Sequence, residues 1–374
     1  MVFLPPVGEG VLGTPHMNKI KPFLFSTLIF LVACFASFWL YLFLVPVVTD
    51  NDATFYLKPG ASKKTVLAEL SQQHIIPHPF LLSLYVFSQR SALLKTGEYR
   101  FPKGSTTLSI WKQITTGAGL LYHPFTIIPG WSFHQLRQAL LQTEGLRHLI
   151  VGWDDKQIMT SLGHPERAPE GEFFPETYYY TKGISDLVIL KRAFDLMQLK
   201  LNEAWETRAS SLPYQDAYQA LIAASLIEKE AYRSGERVVI AGVLVNRLQK
   251  DMLLQFDPTV IYGLGPRYDG KIHRENLQED NAYNTYVHKG LPPTPIAMPS
   301  MASIQAALHP QVHAYLYFVA KGDGSHQFST TLAQHNIAVS TSGPAFISTF
   351  PKSHTGYFNE SKIKNYLYRL LDKT

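Results

Sequence analysis

The sequence predicts an α+β protein carried by a single N-terminal membrane-spanning helix. Three observations carry that prediction. Residues 22–49 contain no Asp, Glu, Lys or Arg. Residues 54–142 alternate short extended segments with amphipathic helical patterns. Residues 184–249 then carry three long helical patterns in succession.

The length of 374 residues suits two to three domains. Charged residues make up 17%, below the roughly 25% of soluble proteins, and the charge-free run accounts for the deficit. Disordered and collagen-like chains are excluded by the 46% hydrophobic content. Residues 1–49 carry Glu9, Lys19 and Lys21, a net +1, so the remainder holds +4 of the total +5. A nucleic-acid binder shows a basic stripe or run, which that balance does not supply. The single cysteine, Cys34, lies inside the charge-free run. It rules out an intrachain disulfide and a Cys-based metal site.

The anchor is predicted over 22–46. Its length exceeds the ~20 apolar residues needed to span a bilayer. Trp39 and Tyr41 fall where an aromatic belt belongs. Lys19 and Lys21 flank one end, Asp50 and Asp52 the other. The positive-inside rule puts residues 1–21 in the cytoplasm and residues from 50 onward outside it. A cleaved signal peptide has a shorter apolar core and a small-residue cleavage site, and this run ends in bulky FLVPVV. Met17 reads as a natural start. In the leader, Gly8, Gly10 and Gly13 match G-x-G-x-x-G, but prolines flank the match and no strand precedes it.

Past the anchor, 54–60 reads as a strand closed by Pro-Gly, and 61–73 as a helix capped by Ser62. A helix over 79–93 and a strand over 95–101 follow, then a helix over 106–116. A strand at 124–129 and a helix at 132–142 repeat the arrangement loosely. The pattern weakens between 143 and 170. The cluster of Gly163, Pro165, Pro169 and Gly171 puts a domain boundary near 165. Helices are expected over 184–209, 214–232 and 236–249. The rest, to 345, is rich in Gly, Pro and Asn, with one apolar strand at 315–320.

Several common catalytic signatures are absent, among them H-E-x-x-H, the P-loop and G-x-S-x-G. His309 and His313 have i,i+4 spacing, but Pro310 interrupts a helix between them, and no metal is expected. The informative segment is 221–232, LIAASLIEKEAY. A small-residue apolar helix runs into Glu228 and Glu230. Desolvation at the end of a buried helix raises a carboxyl pKa, as a general acid for glycosidic cleavage requires. The two glutamates point about 200° apart, so only one faces a given cleft. Spacing does not choose between them. It also leaves open that both are solvated partners of Lys229, Arg233 or Arg237. Downstream, Gln255, Asp257, Tyr262, Asn284 and Tyr286 supply amide, carboxyl and aromatic groups on loops, types that suit a polar sugar or an ordinary turn.

These motifs, taken together, resemble the endolytic murein transglycosylases of the YceG-like (MltG) type. The resemblance rests on EKE-A (228–231), GER (235–237), NRL (246–248), LQ-x-DPTVIYG (254–263) and YNTY (283–286). GLPP-x-x-I (290–296), A-x-HP (307–310), YLYFVA (315–320), H-x-F (326–328) and HN (335–336) extend it. EGEFFPETY (170–178) resembles the segment that opens the family's catalytic domain. The match runs in unbroken order over roughly 50–345.

The resemblance implies a LysM-like module over 50–165 and a mixed α/β catalytic domain with a helix-borne glutamate over 166–374. Both would lie in the periplasm, tethered to the inner membrane. It implies cleavage within nascent peptidoglycan strands, with Glu230 as catalytic acid. Gln255, Asp257, Tyr262, Asn284, Tyr286 and Glu228 would contact the glycan. No cofactor is implied, and association with peptidoglycan synthases is. The sequence departs from the family at Ala231, where Ser or Thr is usual, and at Thr294 and Met298-Pro-Ser300. A membrane-tethered glycan-binding scaffold without activity is the alternative reading.

Overall fold

A 25-residue helix, α1 (Ile20–Leu44), forms over the charge-free run. The structure is a computed structural model that describes residues 20–89 and 93–342. The leader with its glycine match, Met17 and Lys19 lie outside the described residues, as do residues beyond 342. Among those described, α1 supplies the one helix long and apolar enough to cross a membrane, Leu24–Leu44. Its 21 residues rise about 32 Å, against a hydrocarbon core of about 30 Å. Leu24, Phe25, Leu28, Ile29 and Phe30 are exposed along it.

The chain divides into two compact units. The first takes in the described residues up to His123, with Thr181–Gly183. After α1 come β1 (Ala53–Leu57), α2 (Lys63–Gln72), α3 (Pro79–Ser88), β2 (Gly97–Phe101) and α4 (Thr107–Thr116). β1 and β2 pair antiparallel with Phe55 opposite Tyr99. Their alternating inner residues meet Val66, Leu70, Leu82, Ile110 and Trp111 in one core. Capping fixes the helix starts. Ser62 accepts the Thr65 amide at 3.1 Å, and Thr106 with Ser109 forms a reciprocal box. Gly117 ends α4 with φ +84, a left-handed conformation that glycine adopts without a Cβ penalty.

The second unit comprises Pro124–Tyr180 and the described residues from Ile184. It therefore begins about forty residues before the turn cluster near 165 that suggested a boundary. The reason is packing. β3 (His123–Thr126) pairs with β4 (Thr177–Tyr180). Around this pair, α5 (Phe133–Gln142), α6 (Asp155–Leu162) and α7 (Asp186–Glu206) share a core through Leu136, Leu140, Ile158, Met159, Phe173 and Phe194.

A second core surrounds α8 (Ala217–Glu230). Every residue from Ala220 to Ile227 is buried, as expected of a helix apolar on all faces. It packs against α7, α9 (Arg237–Gln249), α10 (Asp257–Leu264) and α11 (Met301–Leu308). The antiparallel hairpin β5 (Tyr317–Ala320) and β6 (His326–Ser329) follows, then α12 (Leu332–Ser342).

Trp111 is 1% exposed in the first core. Trp111→Ala should lower the unfolding free energy of that unit by about 3–5 kcal/mol. Denaturant titration of the full chain, followed by hydrogen exchange in β1 and β2, checks it. A loss under about 1 kcal/mol would refute this account of the core.

Candidate active site

The last turn of α8 presents three charged side chains in succession, stepped by about 100° each. They reach three different places.

Glu228 turns toward the start of α11. Its Oε2 accepts the Ser300 amide at 2.9 Å, the Ser300 hydroxyl at 2.5 Å and the Ser303 hydroxyl at 2.7 Å. The Arg237 guanidinium stands 3.8 Å from Oε1. A carboxylate so occupied, at a helix N-terminus, is a brace. Glu228 was expected to contact the glycan; its Oε2 is engaged by Ser300 and Ser303.

Lys229 turns the other way. Its ammonium donates to the Gly130 carbonyl at 3.3 Å, and burial lowers its pKa against the opposing charges of Glu170 and Glu228. Glu170 itself is buried. It accepts the Phe133 amide at 3.0 Å and the Tyr262 hydroxyl at 3.1 Å. Desolvation outweighs those hydrogen bonds and pushes its pKa up to about 7.

Glu230 is half-buried. Crowding by protein pushes its pKa up to about 8, and the charge of Asp257 adds to the shift. Among the described residues no donor hydrogen-bonds its carboxyl. Its charge in turn raises the pKa of Tyr232 and of Tyr286.

Asp257 opens α10, where Pro258 follows without needing a hydrogen-bond acceptor. Its Oδ1 accepts the Tyr286 phenol at 2.5 Å, while burial raises its pKa. The loop carrying Tyr286 is tied to the start of α10 at several points. The Gln255 amide donates to the Thr285 carbonyl at 3.0 Å, and the Phe256 amide to the Thr285 hydroxyl at 3.0 Å. Gln255 holds φ +55, a left-handed conformation uncommon for a residue with a side chain. Arg247 secures that turn. Its Nη1 donates to the carbonyls of Leu253 and Leu254 and to Gln255 Oε1, and its Nε to the Leu316 carbonyl.

The structure therefore gathers Glu230, Asp257 and Tyr286. Gln255 lies two residues from Asp257, exposed, with its amide oxygen held by Arg247. Asn284 and Tyr262 are engaged by partners within the protein. Asn284 is buried and fully used inside its loop: it donates to the carbonyls of Asn276 and Glu279 and accepts the Tyr286 amide. Tyr262 spends its hydroxyl on Glu170 and packs 4.7 Å from Tyr283. His313 is engaged by the Val239 carbonyl and the Tyr315 amide.

Three residues escaped the sequence reading. Tyr232 is 54% exposed two positions after Glu230. The Tyr268 hydroxyl is buried without a hydrogen-bond partner among the described residues, and its pKa is raised by burial and by the charges of Asp269 and Asp257. Glu170 lay in plain view in EGEFFPETY. An aromatic beside an acid was the available signal for Tyr232; none existed for Tyr268. Chemically, the cluster offers a carboxyl that is neutral at pH 7 and so able to donate a proton, with phenols beside it.

The family model of YceG-like proteins matches residues 55–341. A Bacillus subtilis protein named endolytic murein transglycosylase is 31% identical over 318 residues, covering 79% of this chain and 86% of that protein. A Streptococcus pneumoniae protein of the same name is 25% identical over 342 residues; the match covers 81% of this chain and 62% of that protein. The crystal structure of a yceG-like protein from Listeria monocytogenes is 27% identical, covering 77% of this chain and 98% of that one at a TM-score of 0.49. On the family match and the Bacillus subtilis relative, this chain belongs to the YceG-like family.

Proposed function

We propose that this chain is a membrane-anchored lytic transglycosylase that cuts peptidoglycan strands internally. The observation that carries the reading is the Glu230 carboxyl, raised to about 8 at the end of a buried helix, with no hydrogen-bond donor to it among the described residues. At pH 7 about nine-tenths of such a group is protonated. The names of the relatives supply the substrate class, peptidoglycan.

Glu230 donates its proton to the bridging oxygen between N-acetylmuramic acid and N-acetylglucosamine, and the bond from that oxygen to C1 breaks. The sugar's 2-acetamido group or nearby protein dipoles stabilise the oxocarbenium-like state. Ionised Glu230 then takes the proton of the C6 hydroxyl as its oxygen closes on C1. The product carries a 1,6-anhydro end and no water is consumed. Ordinary glycosidases employ two carboxyl groups. Asp257 is the nearby candidate for the second, but its Oδ1 holds the Tyr286 phenol. Its role in this reading is electrostatic: its charge adds to the burial that keeps Glu230 protonated.

The anchor reading has α1 crossing the inner membrane, with the N-terminus cytoplasmic and the chain from about residue 50 onward periplasmic. The segment from about 50 to 165 is read as LysM-like and as holding glycan without cutting it. Such an anchor keeps the site where synthases extend new strands, and cleavage there terminates elongation.

Glu230→Gln should lower the turnover of glycan strands by about 10⁴-fold, equivalent to about 5.4 kcal/mol of transition-state stabilisation. Glu228→Gln should keep the rate within about tenfold while lowering stability by about 1–3 kcal/mol. Mass spectrometry of the products decides the chemistry, since anhydro ends are one water lighter than hydrolytic ends. Products with reducing ends only would sink the mechanism.

A pH profile tests the electrostatics. The acid form is needed, so kcat/KM should fall as pH rises through about 8. Asp257→Asn removes a charge that raises the Glu230 pKa, so the alkaline limb should move to lower pH. An unmoved limb would separate Asp257 from Glu230.

Topology is read by reporters fused after Thr374. A reporter active only outside the cytoplasm should function there; activity of a cytoplasm-only reporter instead would reverse the orientation.

A further inference from the structure

Helix α3 has no charged residue in its ten positions, PFLLSLYVFS. One side, Leu82 and Val86, is fully buried in the core of the first unit. The other side is apolar too, yet open: Phe80 is 70% exposed, Leu84 52% and Phe87 58%. Their i, i+4, i+7 spacing makes one continuous stripe. Single exposed apolar residues are ordinary on a protein surface, but a stripe on a charge-free helix calls for a covering.

The neighbouring element identifies that covering. The Tyr85 ring stands edge-on to Trp39 of α1 with centroids 5.7 Å apart, and Leu81 lines a groove with Phe30, Phe38 and Tyr41. Phe35, Leu40 and Phe43 of α1 are themselves more than half exposed, so the two helices present neighbouring apolar surfaces. Whatever solvates α1 at this level reaches α3 as well. The level follows from helix geometry. Trp39 lies five residues before the end of α1 at Leu44, or about 7.5 Å along the axis. Interfacial helices bury their apolar face about 5–10 Å into the boundary between headgroups and acyl chains. Trp39, Tyr41 and Tyr85 are the residue types that favour that boundary. At the end of α3 the Lys63 ammonium donates to the Gln89 carbonyl, which leaves a cation at the polar edge of the stripe.

We infer that α3 is a membrane-surface helix, its Phe80–Leu84–Phe87 stripe seated in the lipid interface beside α1. The inference rests on the reading of α1 as a membrane span. It gives the first unit two points of attachment to the bilayer, a spanning helix and a surface helix. A spanning helix alone would let the unit swing away from the membrane; a seated α3 holds it against the lipid.

The test uses the full chain reconstituted in phosphatidylcholine vesicles. An environment-sensitive fluorophore is attached to Leu84→Cys or, separately, to Phe30→Cys, each in a Cys34→Ser background. Both positions are exposed, so the label displaces no core side chain. Quenching is read with shallow and deep doxyl lipids and with aqueous iodide. The Leu84 label should be quenched by shallow doxyl lipid and at least about fivefold less by iodide than the free dye, as burial at the interface requires. The Phe30 label should respond to deep doxyl lipid. Iodide quenching of the Leu84 label equal to that of free dye overturns the inference, provided the Phe30 label is quenched from the deep position. Protection from iodide without doxyl quenching also overturns it, since protein then covers the stripe. A Phe30 label insensitive to doxyl lipid removes the anchor itself, and the seat of α3 with it.

Discussion

Helix α8 is apolar on every side from Ala220 to Ile227, so the chain has to surround it, and that requirement organises the second unit. The surrounding helices leave the C-terminal turn as the place where charge is admitted. There the 100° step between residues sends Glu228, Lys229 and Glu230 in three directions. Two of them are held by partners that fix neighbouring elements, Ser300 at the head of α11 and the Gly130 carbonyl ahead of α5. Glu230 is left with burial and, among the described residues, no donor. Its raised pKa follows from the same packing that holds the other two in place.

The departures from the family pattern take on physical meaning in this setting. Ala231, where a hydroxyl is usual, is buried in the core around α8, so its methyl group is accommodated as packing. Ser300 caps α11 by accepting the Ser303 amide and at the same time donates to Glu228, which couples the helix start to the end of α8. Thr294 donates to the Pro295 carbonyl and lies 2.9 Å from the Tyr283 hydroxyl. Each departure is matched by local contacts that use the residue present.

Much of the fold was legible in the sequence. The starts of α2, α4 and α5 follow Ser62, Thr106 and Ser132, and each of these hydroxyls accepts an amide three residues on. Helix α6 is hidden in the sequence although Asp154 and Gln157 form a capping box, because its eight residues are too few to show a clear helical period. Helix α10 lies where a loop was expected: Asp257-Pro258 signals either a turn or a helix start, and only tertiary packing decides. Spacing narrows the candidate acid to Glu228 and Glu230, and the resemblance picks Glu230. That Ser300 and Ser303, more than seventy residues away, occupy Glu228 is visible only in the fold. The paired roles of Tyr262 and Asn284 were hidden for the same reason, since their partners come from Glu170, Asn276 and Glu279.

Arg247 has a consequence for how the site comes into being. Its buried guanidinium depends on carbonyls from Leu253, Leu254 and Leu316, the last of them far along the chain. A buried cation lacking acceptors is strongly unfavourable. Formation of the left-handed turn at Gln255 and docking of the strand that begins at Tyr317 therefore depend on one another. Losing either one strips the guanidinium of acceptors it uses, so the turn beside Asp257 and the strand stand or fall together.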